Sequence, residues 1–218
     1  MKPTLPHGVK AVLFDVFGTL LEISSPKRPF GQLLRIARLQ GVRLPANVKS
    51  EMMSTSMTLR DAAGWLGVQV STESLHALER DLEEELDSIR AFPEALEVLK
   101  VLRGRGYTLA VCSNLAAPYV EPARNLLAPY IDVAIWSCHV GWMKPEPEIY
   151  LLALEKLGLP ADEVLMVGDT YRNDVAGARA VGLQARLLDR CGRGSDPAVC
   201  WSTLDALISS DSGNPLAG

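Results

Sequence analysis

The feature that most constrains this chain is a short apolar run, Val9-Lys10-Ala11-Val12-Leu13-Phe14, which stops at Asp15 and is soon followed by Gly18. A run of this length with a glycine close behind it reads as a buried strand rather than a helix. Comparable runs recur at Tyr107 to Cys112, Val133 to Trp136, Val164 to Val167 and Ala185 to Leu188. Helical spacing fills the gaps between them. Pro93 to Leu102 sets Ala95, Leu96, Val98, Leu99 and Leu102 mostly on one face before Gly104 and Gly106, and Glu148 to Leu157 stops at Gly158 with Pro160 beyond. Alternating strand and helix predicts right-handed β-α-β units and a parallel sheet, an α/β fold.

One region breaks the rhythm. Residues 22–92 contain no evident strand and three helical patterns, at Phe30 to Leu39, Val48 to Leu66 and Ser74 to Ile89. The third carries Glu83, Glu84, Glu85 and Asp87, which read as a solvated face. Met52, Met53 and Met57 in the second read as core packing. An all-helical block placed after the first strand is expected to be a lid inserted into the α/β domain. The expected division is therefore a core of residues 1–21 and 93–218 with a helical cap over 22–92, and 218 residues suffice for such a core with a small insert.

Composition narrows the partners. The net charge of −4 argues against a nucleic-acid partner, which demands a basic face. No stretch approaches the ~18 consecutive apolar residues that cross a bilayer, so no membrane partner is expected. Met1 to Lys10 lacks a signal-like apolar run, and Cys112, Cys138, Cys191 and Cys200 form no CxxC pair. A cytoplasmic protein with free thiols is expected. Ser209 to Gly218 is small and polar and is expected to fray. Trp136, Trp142 and Trp201 are expected to pack in the core, and the sequence leaves the oligomeric state open.

In an open parallel sheet, ligands sit where loops leave the carboxyl ends of the strands. Asp15-Val16-Phe17-Gly18-Thr19-Leu20 follows the first run, Ser113-Asn114 the second, and Gly168-Asp169-Thr170 the fourth, with Asn173-Asp174 beyond; Lys144-Pro145 precedes the Glu148 helix. Each fragment alone reads as a helix cap or a turn. Together they bring three carboxylates, a hydroxyl and a lysine to one end of the sheet. Asp15, Asp169 and Asp174 contribute three negative charges against one positive from Lys144, and carboxylates packed so closely require a cation to stay ionised. Mg2+, which takes oxygen ligands and keeps several waters, suits that set.

The order Asp-x-x-Gly-Thr-Leu, Ser-Asn, Lys-Pro, Gly-Asp-x-x-x-Asn-Asp resembles the four motifs of the haloacid dehalogenase superfamily, and the helical block matches the position of that family's cap. The resemblance implies a Rossmann-like parallel-sheet core and a hydrolase acting on a small-molecule substrate. Asp15 would attack the substrate and form a covalent intermediate. Ser113 and Lys144 would hold the transferring group. Asp169 and Asp174 would hold Mg2+ with Asp15 and the backbone carbonyl of Phe17. Thr19 and Asn114 would support the loops beside the substrate and are counted with Lys144 among its binding residues.

Phe17 departs from the phosphatase pattern. Family phosphatases carry a second Asp there, which protonates the leaving oxygen and then activates water, a contribution of ~10²–10⁴ in rate. The 2-haloacid dehalogenase branch has an aromatic residue at this position, and halide leaves without a proton. That branch resembles Ser-x-Asn-x-x-Asp in the fourth motif, however, where this chain has Asp169, Tyr171 and Asp174. Arg35, Arg38 and Arg60 are the candidates for that branch's cap arginine. Three expectations stand together: a Mg2+-dependent phosphohydrolase favouring good leaving groups, a haloacid dehalogenase, and a catalytically weak phosphate- or partner-binding protein of the same fold.

Overall fold

The apolar runs become the strands of one parallel sheet. In the computed structural model, which describes residues 5–190, 192 and 200–209, the chain runs through β1 (Ala11–Phe14), β2 (Leu21–Ile23), α1 (Pro29–Leu39), α2 (Val48–Ser54), α3 (Leu59–Leu66), α4 (Thr72–Asp87), β3 (Ile89–Ala91), α5 (Ala95–Gly104), β4 (Thr108–Ser113), α6 (Val120–Leu127), β5 (Val133–Trp136), α7 (Ser137–Val140), α8 (Pro147–Leu157), β6 (Val164–Gly168), α9 (Gly177–Ala180), β7 (Gln184–Leu188) and β8 (Cys200–Trp201). The sheet order is β5-β4-β1-β6-β7-β8, with every pairing parallel. Phe14 at the end of β1 lies opposite Val111 of β4 and Val167 of β6, so the loops after these three strands leave the sheet side by side.

Period-two alternation sends successive residues of one strand to opposite faces. Val12 and Phe14 enter one core cluster with Val98, Leu102 and Val111, while Ala11 and Leu13 enter a second with Ile149, Tyr150 and Met166. All four residues of β1 are fully buried, as a central strand covered on both faces requires. The helical block has a core of its own, built from Leu33, Leu34, Met52, Met57, Leu66, Leu78 and Leu82 among others. Met52 and Met57 thus pack as expected.

Five local readings are corrected. Residues 22–92 are not wholly helical: β2 and β3 form an antiparallel ribbon that pairs Leu21 with Ala91 and Ile23 with Ile89, and the expected boundary at 21/22 falls inside β2. The long pattern from Val48 to Leu66 is two helices, because Thr58 and Asp61 form a capping box that starts α3 anew. Glu85 is not part of a solvated face; it is buried, with 3% exposure. Trp142 is exposed rather than packed, whereas Trp136 is buried and Trp201 partly so. A short sixth strand, β8, extends the sheet beyond β7. Cys112, Cys138 and Cys200 are free thiols, while Cys191 and residues 210–218 of the polar tail lie outside the described residues.

Candidate active site

Three adjacent strand ends deliver the chemistry. Asp15 follows β1, Ser113 ends β4, and Asp169 follows β6, with Asp174 on the helical turn Tyr171–Ala176 beyond. One carboxylate oxygen from each of Asp15, Asp169 and Asp174 lies within 4.8 Å of the others. Lys144 enters from the segment before α8 and donates from Nζ to Asp15 Oδ1 at 2.8 Å and to Asp174 Oδ1 at 2.6 Å. Ser113 Oγ donates to the same Asp15 oxygen at 3.3 Å. Asp15, Ser113, Lys144 and Asp174 are buried, while Asp169 opens toward solvent.

Asn114 and Lys144 are locked together by their polar groups. Asn114 Nδ2 donates to the Lys144 carbonyl at 2.7 Å, and the Lys144 amide donates to Asn114 Oδ1 at 2.8 Å. Asn114 therefore fixes the lysine segment to the end of β4. Thr19 is fully buried, and its hydroxyl has no hydrogen-bond partner among the described residues. Tyr150 is buried beneath the fourth-motif loop and donates from its hydroxyl to the Asn173 carbonyl.

Two glycines permit the close approach. A Cβ on Gly18, whose φ is +88°, would lie 2.2 Å from Asp169 Oδ2. A Cβ on Gly168 would lie 2.2 Å from the Asp174 carboxyl carbon. Hydrogen at both positions lets the carboxylates close on one point.

Electrostatics follow from this crowding. Burial pushes the Asp174 carboxyl up to about 6, against the pull of Lys144 and with the push of Asp15. Asp169 is raised by partial desolvation of its carboxylate, open though the residue is to solvent, and by the Asp15 charge. Burial alone would lower the Lys144 ammonium, but Asp15 and Asp174 outweigh it and hold the lysine protonated above its ordinary range. Burial pushes the Cys112 thiol up to about 12, which leaves it a packing residue. One ammonium between surplus carboxylates is a site short of positive charge, and its all-oxygen donor set fits a divalent cation such as Mg2+.

Phe17 packs against an aromatic neighbour from the loop after β4. Its ring meets Tyr119 edge-on, with centroids 6.0 Å apart and planes at 85°. Both rings line a cavity between the helical block and the sheet. Glu85 reaches the same place from α4, accepting from the backbone amides of Lys27 and Arg28 (2.5 Å from the latter) and from Tyr119 Oη at 2.6 Å. Arg28 holds a left-handed backbone there, with φ 57°. Behind the loop that follows β1, Arg190 donates to the carbonyls of Gly18 at 3.3 Å and Thr19 at 2.7 Å, pairs with Glu94 at 2.6 Å and lies 3.7 Å above the Phe92 ring. Sequence reasoning missed Glu85, Tyr119, Arg28 and Arg190. Glu85 alone had a readable signal: Leu75, Leu78, Leu82 and Glu85 form one stripe at helical spacing. Arg35, Arg38 and Arg60 are exposed on the helical block, and Arg60 pairs with Glu79. His139 and Arg172 are exposed as well, and Trp65 is 44% exposed.

The sheet and its cluster of carboxylates define an α/β protein with an acidic site at its strand ends, and residues 9–182 match the haloacid dehalogenase-like hydrolase family. The chain belongs to that family. It is 28% identical over 187 residues to phosphoglycolate phosphatase of Nitrosospira multiformis, a match covering 81% of this chain and 82% of that protein. Other curated phosphatases match at 35% and 36% identity, but the chain spans only 44% and 43% of their length. Among solved structures, a HAD phosphatase from Thermococcus onnurineus is 27% identical with a TM-score of 0.62, covering 91% of this chain and 96% of that one. A 2-haloacid dehalogenase from Pseudomonas syringae pv. Tomato DC3000 has a TM-score of 0.63 at 24% identity, over 91% of this chain and 96% of that one, a likeness of fold. No helix among the described residues is long and apolar enough to cross a membrane.

Proposed function

We propose that this chain hydrolyses small phosphorylated molecules, with Asp15 as nucleophile and Mg2+ held by Asp15, Asp169, Asp174 and the Phe17 carbonyl. The observation that carries the reading is the convergence of three carboxylate oxygens within 4.8 Å beside the buried Lys144 ammonium. When bound, the cation would neutralise oxygen charge on the transferring group. Asp15 attacks phosphorus through a carboxylate oxygen and forms an aspartyl-phosphate, and the leaving group departs with the electron pair of its bond. Lys144 and the Ser113 hydroxyl hold the phosphoryl oxygens as charge grows. Water then cleaves the aspartyl-phosphate and restores Asp15. Residues 22–92 act as a cap that excludes water and selects the substrate. Free Cys112, Cys138 and Cys200 fit a reducing cytoplasm.

Phe17 has no proton to donate, so substrates with good leaving groups are favoured, acyl or aryl phosphates over sugar phosphates. The same residue supports a second reading, a haloacid dehalogenase, because halide needs no proton. Asp169 and Asp174 weigh against it, since surplus carboxylates repel a haloacid's own carboxylate. A third reading keeps the pocket and gives up most of the catalytic power.

Hydrolysis of acetyl phosphate with Mg2+ and with chelator tests these readings. Metal-dependent turnover is expected. No turnover under either condition, followed by halide release from 2-chloropropionate, would establish the dehalogenase, and silence in both assays would leave the binding protein. Equal turnover of sugar phosphates and acetyl phosphate would remove the role given to Phe17.

A further inference from the structure

The cavity between the helical block and the sheet measures about 370 Å³, within the roughly 300–1,000 Å³ typical of small-ligand sites. Two of its lining residues belong to the catalytic loops. Phe17 lies two residues after Asp15, and Asn114 directly follows Ser113. The cavity thus borders the loops that carry Asp15 and Ser113, on the side where the family's second acid would stand.

Its surface is mostly carbon and sulfur, from Phe17, Phe30, Leu34, Met52, Met53 and Tyr119, although Arg28, Lys49, Glu85 and Asn114 also border it. Two of the polar side chains on this lining, Glu85 and Asn114, are already engaged. Glu85 accepts from two backbone amides with one oxygen and from the Tyr119 hydroxyl with the other. A polyhydroxylated sugar would leave its hydroxyls unpaired against this surface, which disfavours it. A flat aromatic body loses nothing there and gains ring contacts of the edge-on kind that Phe17 and Tyr119 already make with each other.

We propose that this cavity receives the leaving group and that the substrates are aryl phosphate monoesters. The inference rests on the phosphohydrolase reading and adds the identity of the departing half. Chemistry and packing agree at Phe17. Asp15 bonds to phosphorus, the bond from phosphorus to the aryl oxygen breaks, and its electron pair stays on the phenolate. A phenol titrates near 10, as tyrosine does, so the phenolate departs without the acid that Phe17 has displaced and takes its proton from solvent. An alkoxide is as basic as hydroxide, whose parent water titrates near 15.7, and cannot do so. Water attack on the aspartyl-phosphate releases inorganic phosphate.

The test is kcat/KM of the full chain, with Mg2+, on acetyl phosphate, phenyl phosphate, 2-naphthyl phosphate and glycerol phosphate. Phenyl phosphate is expected to exceed glycerol phosphate by at least tenfold. The naphthyl ester is expected to exceed the phenyl ester several-fold, because their leaving groups are alike and only the ring area differs. Turnover of acetyl phosphate with the aryl esters no better than glycerol phosphate, or with naphthyl no better than phenyl, would overturn the cavity assignment and leave the phosphohydrolase reading standing. Failure on acetyl phosphate as well as the aryl esters would overturn both. Met53→Trp fills the cavity from its helical side and should lower the ratio of naphthyl to acetyl turnover at least tenfold. An unchanged ratio in a variant of unchanged Tm would count against the assignment, and Ala116→Leu gives a smaller filling should Met53→Trp fail to fold.

Discussion

Lys144 donates from Nζ to Asp15 Oδ1 across 2.8 Å, with the lysine side chain only 2% exposed. Asp174 holds the same ammonium from the other side at 2.6 Å. A charge this deep is tolerable because it is paired twice, and removing it leaves two buried carboxylates facing each other. Lys144→Met keeps the length of the side chain and deletes the charge. Its expected cost is about 3–5 kcal/mol, or roughly 6–20 °C in Tm for a chain of this size. Mg2+ should restore more of that loss than it adds to the unaltered protein, since a second cation then answers an unmet charge. Thermal melts with and without Mg2+ check this, and an unchanged Tm would mean that the pairing contributes nothing to the fold.

Asp15→Asn separates chemistry from folding. The amide keeps the shape and still accepts from Lys144 and Ser113, but it is no nucleophile toward phosphorus. Turnover of acetyl phosphate should fall below detection while the circular dichroism spectrum is retained and Tm stays within a few degrees. Activity near the native level would end the aspartyl mechanism.

The Gly18 backbone is as restrictive as any side chain in the site. With φ at +88° and a virtual Cβ 2.2 Å from Asp169 Oδ2, Gly18→Ala must shift either the loop that carries Asp15 or the carboxylate. Activity should fall at least 100-fold, because a displacement of 1 Å is enough for that loss. The concentration of Mg2+ that half-activates the enzyme should rise. Activity within twofold of the native level would show that the loop has slack the geometry denies.

The sheet and its chemistry were legible because both rest on short-range signals. Strand runs end on the residues that matter, and a parallel sheet places those ends together, so Asp15, Ser113 and Asp169 follow from pattern alone. Lys144 was legible only through the motif, since nothing local says that a lysine before α8 turns inward between two carboxylates. Glu85 shows what composition hides. Its run of acids reads as solvated, yet it sits on the apolar stripe of α4, and only the folded chain brings the amides of Lys27 and Arg28 and the hydroxyl of Tyr119 within its reach. The ribbon of β2 and β3 was missed for a related reason. Strands of three residues have too little alternation to read, and these pair across 65 intervening residues or more.

Glu85 carries a prediction of its own. Its three donors come from the loop before α1 and from the sheet side of the cavity, so it ties the base of the helical block to the core. Glu85→Leu leaves two amides and a hydroxyl without an acceptor, at about 1–3 kcal/mol for each group that water cannot reach. Chemical denaturation should show a loss of at least 2 kcal/mol, whereas Glu83→Leu, three donors poorer and outward-facing, should change little. Equal effects of the two substitutions would return Glu85 to the solvated face.

Arg190 and Glu94 set a pH dependence whose direction can be worked out. Arg190 holds the Gly18 and Thr19 carbonyls, and Glu94 holds Arg190 at 2.6 Å, so the pair braces the loop that carries Asp15. Burial alone would raise the Glu94 carboxyl, but its own backbone amide and Arg190 together bring it below the usual carboxylate range. A carboxylate whose native value lies below its unfolded value stabilises the fold fully above the unfolded value, near 4.3, and progressively less as pH falls through the native one. Glu94→Gln removes that contribution and keeps the volume. The variant should therefore melt below the native protein at pH 7, and the gap should narrow as the pH is lowered from 4.5 toward 3. Tm of both proteins across that range is the measurement. A gap that holds constant would show that Glu94 acts through packing and not through its charge.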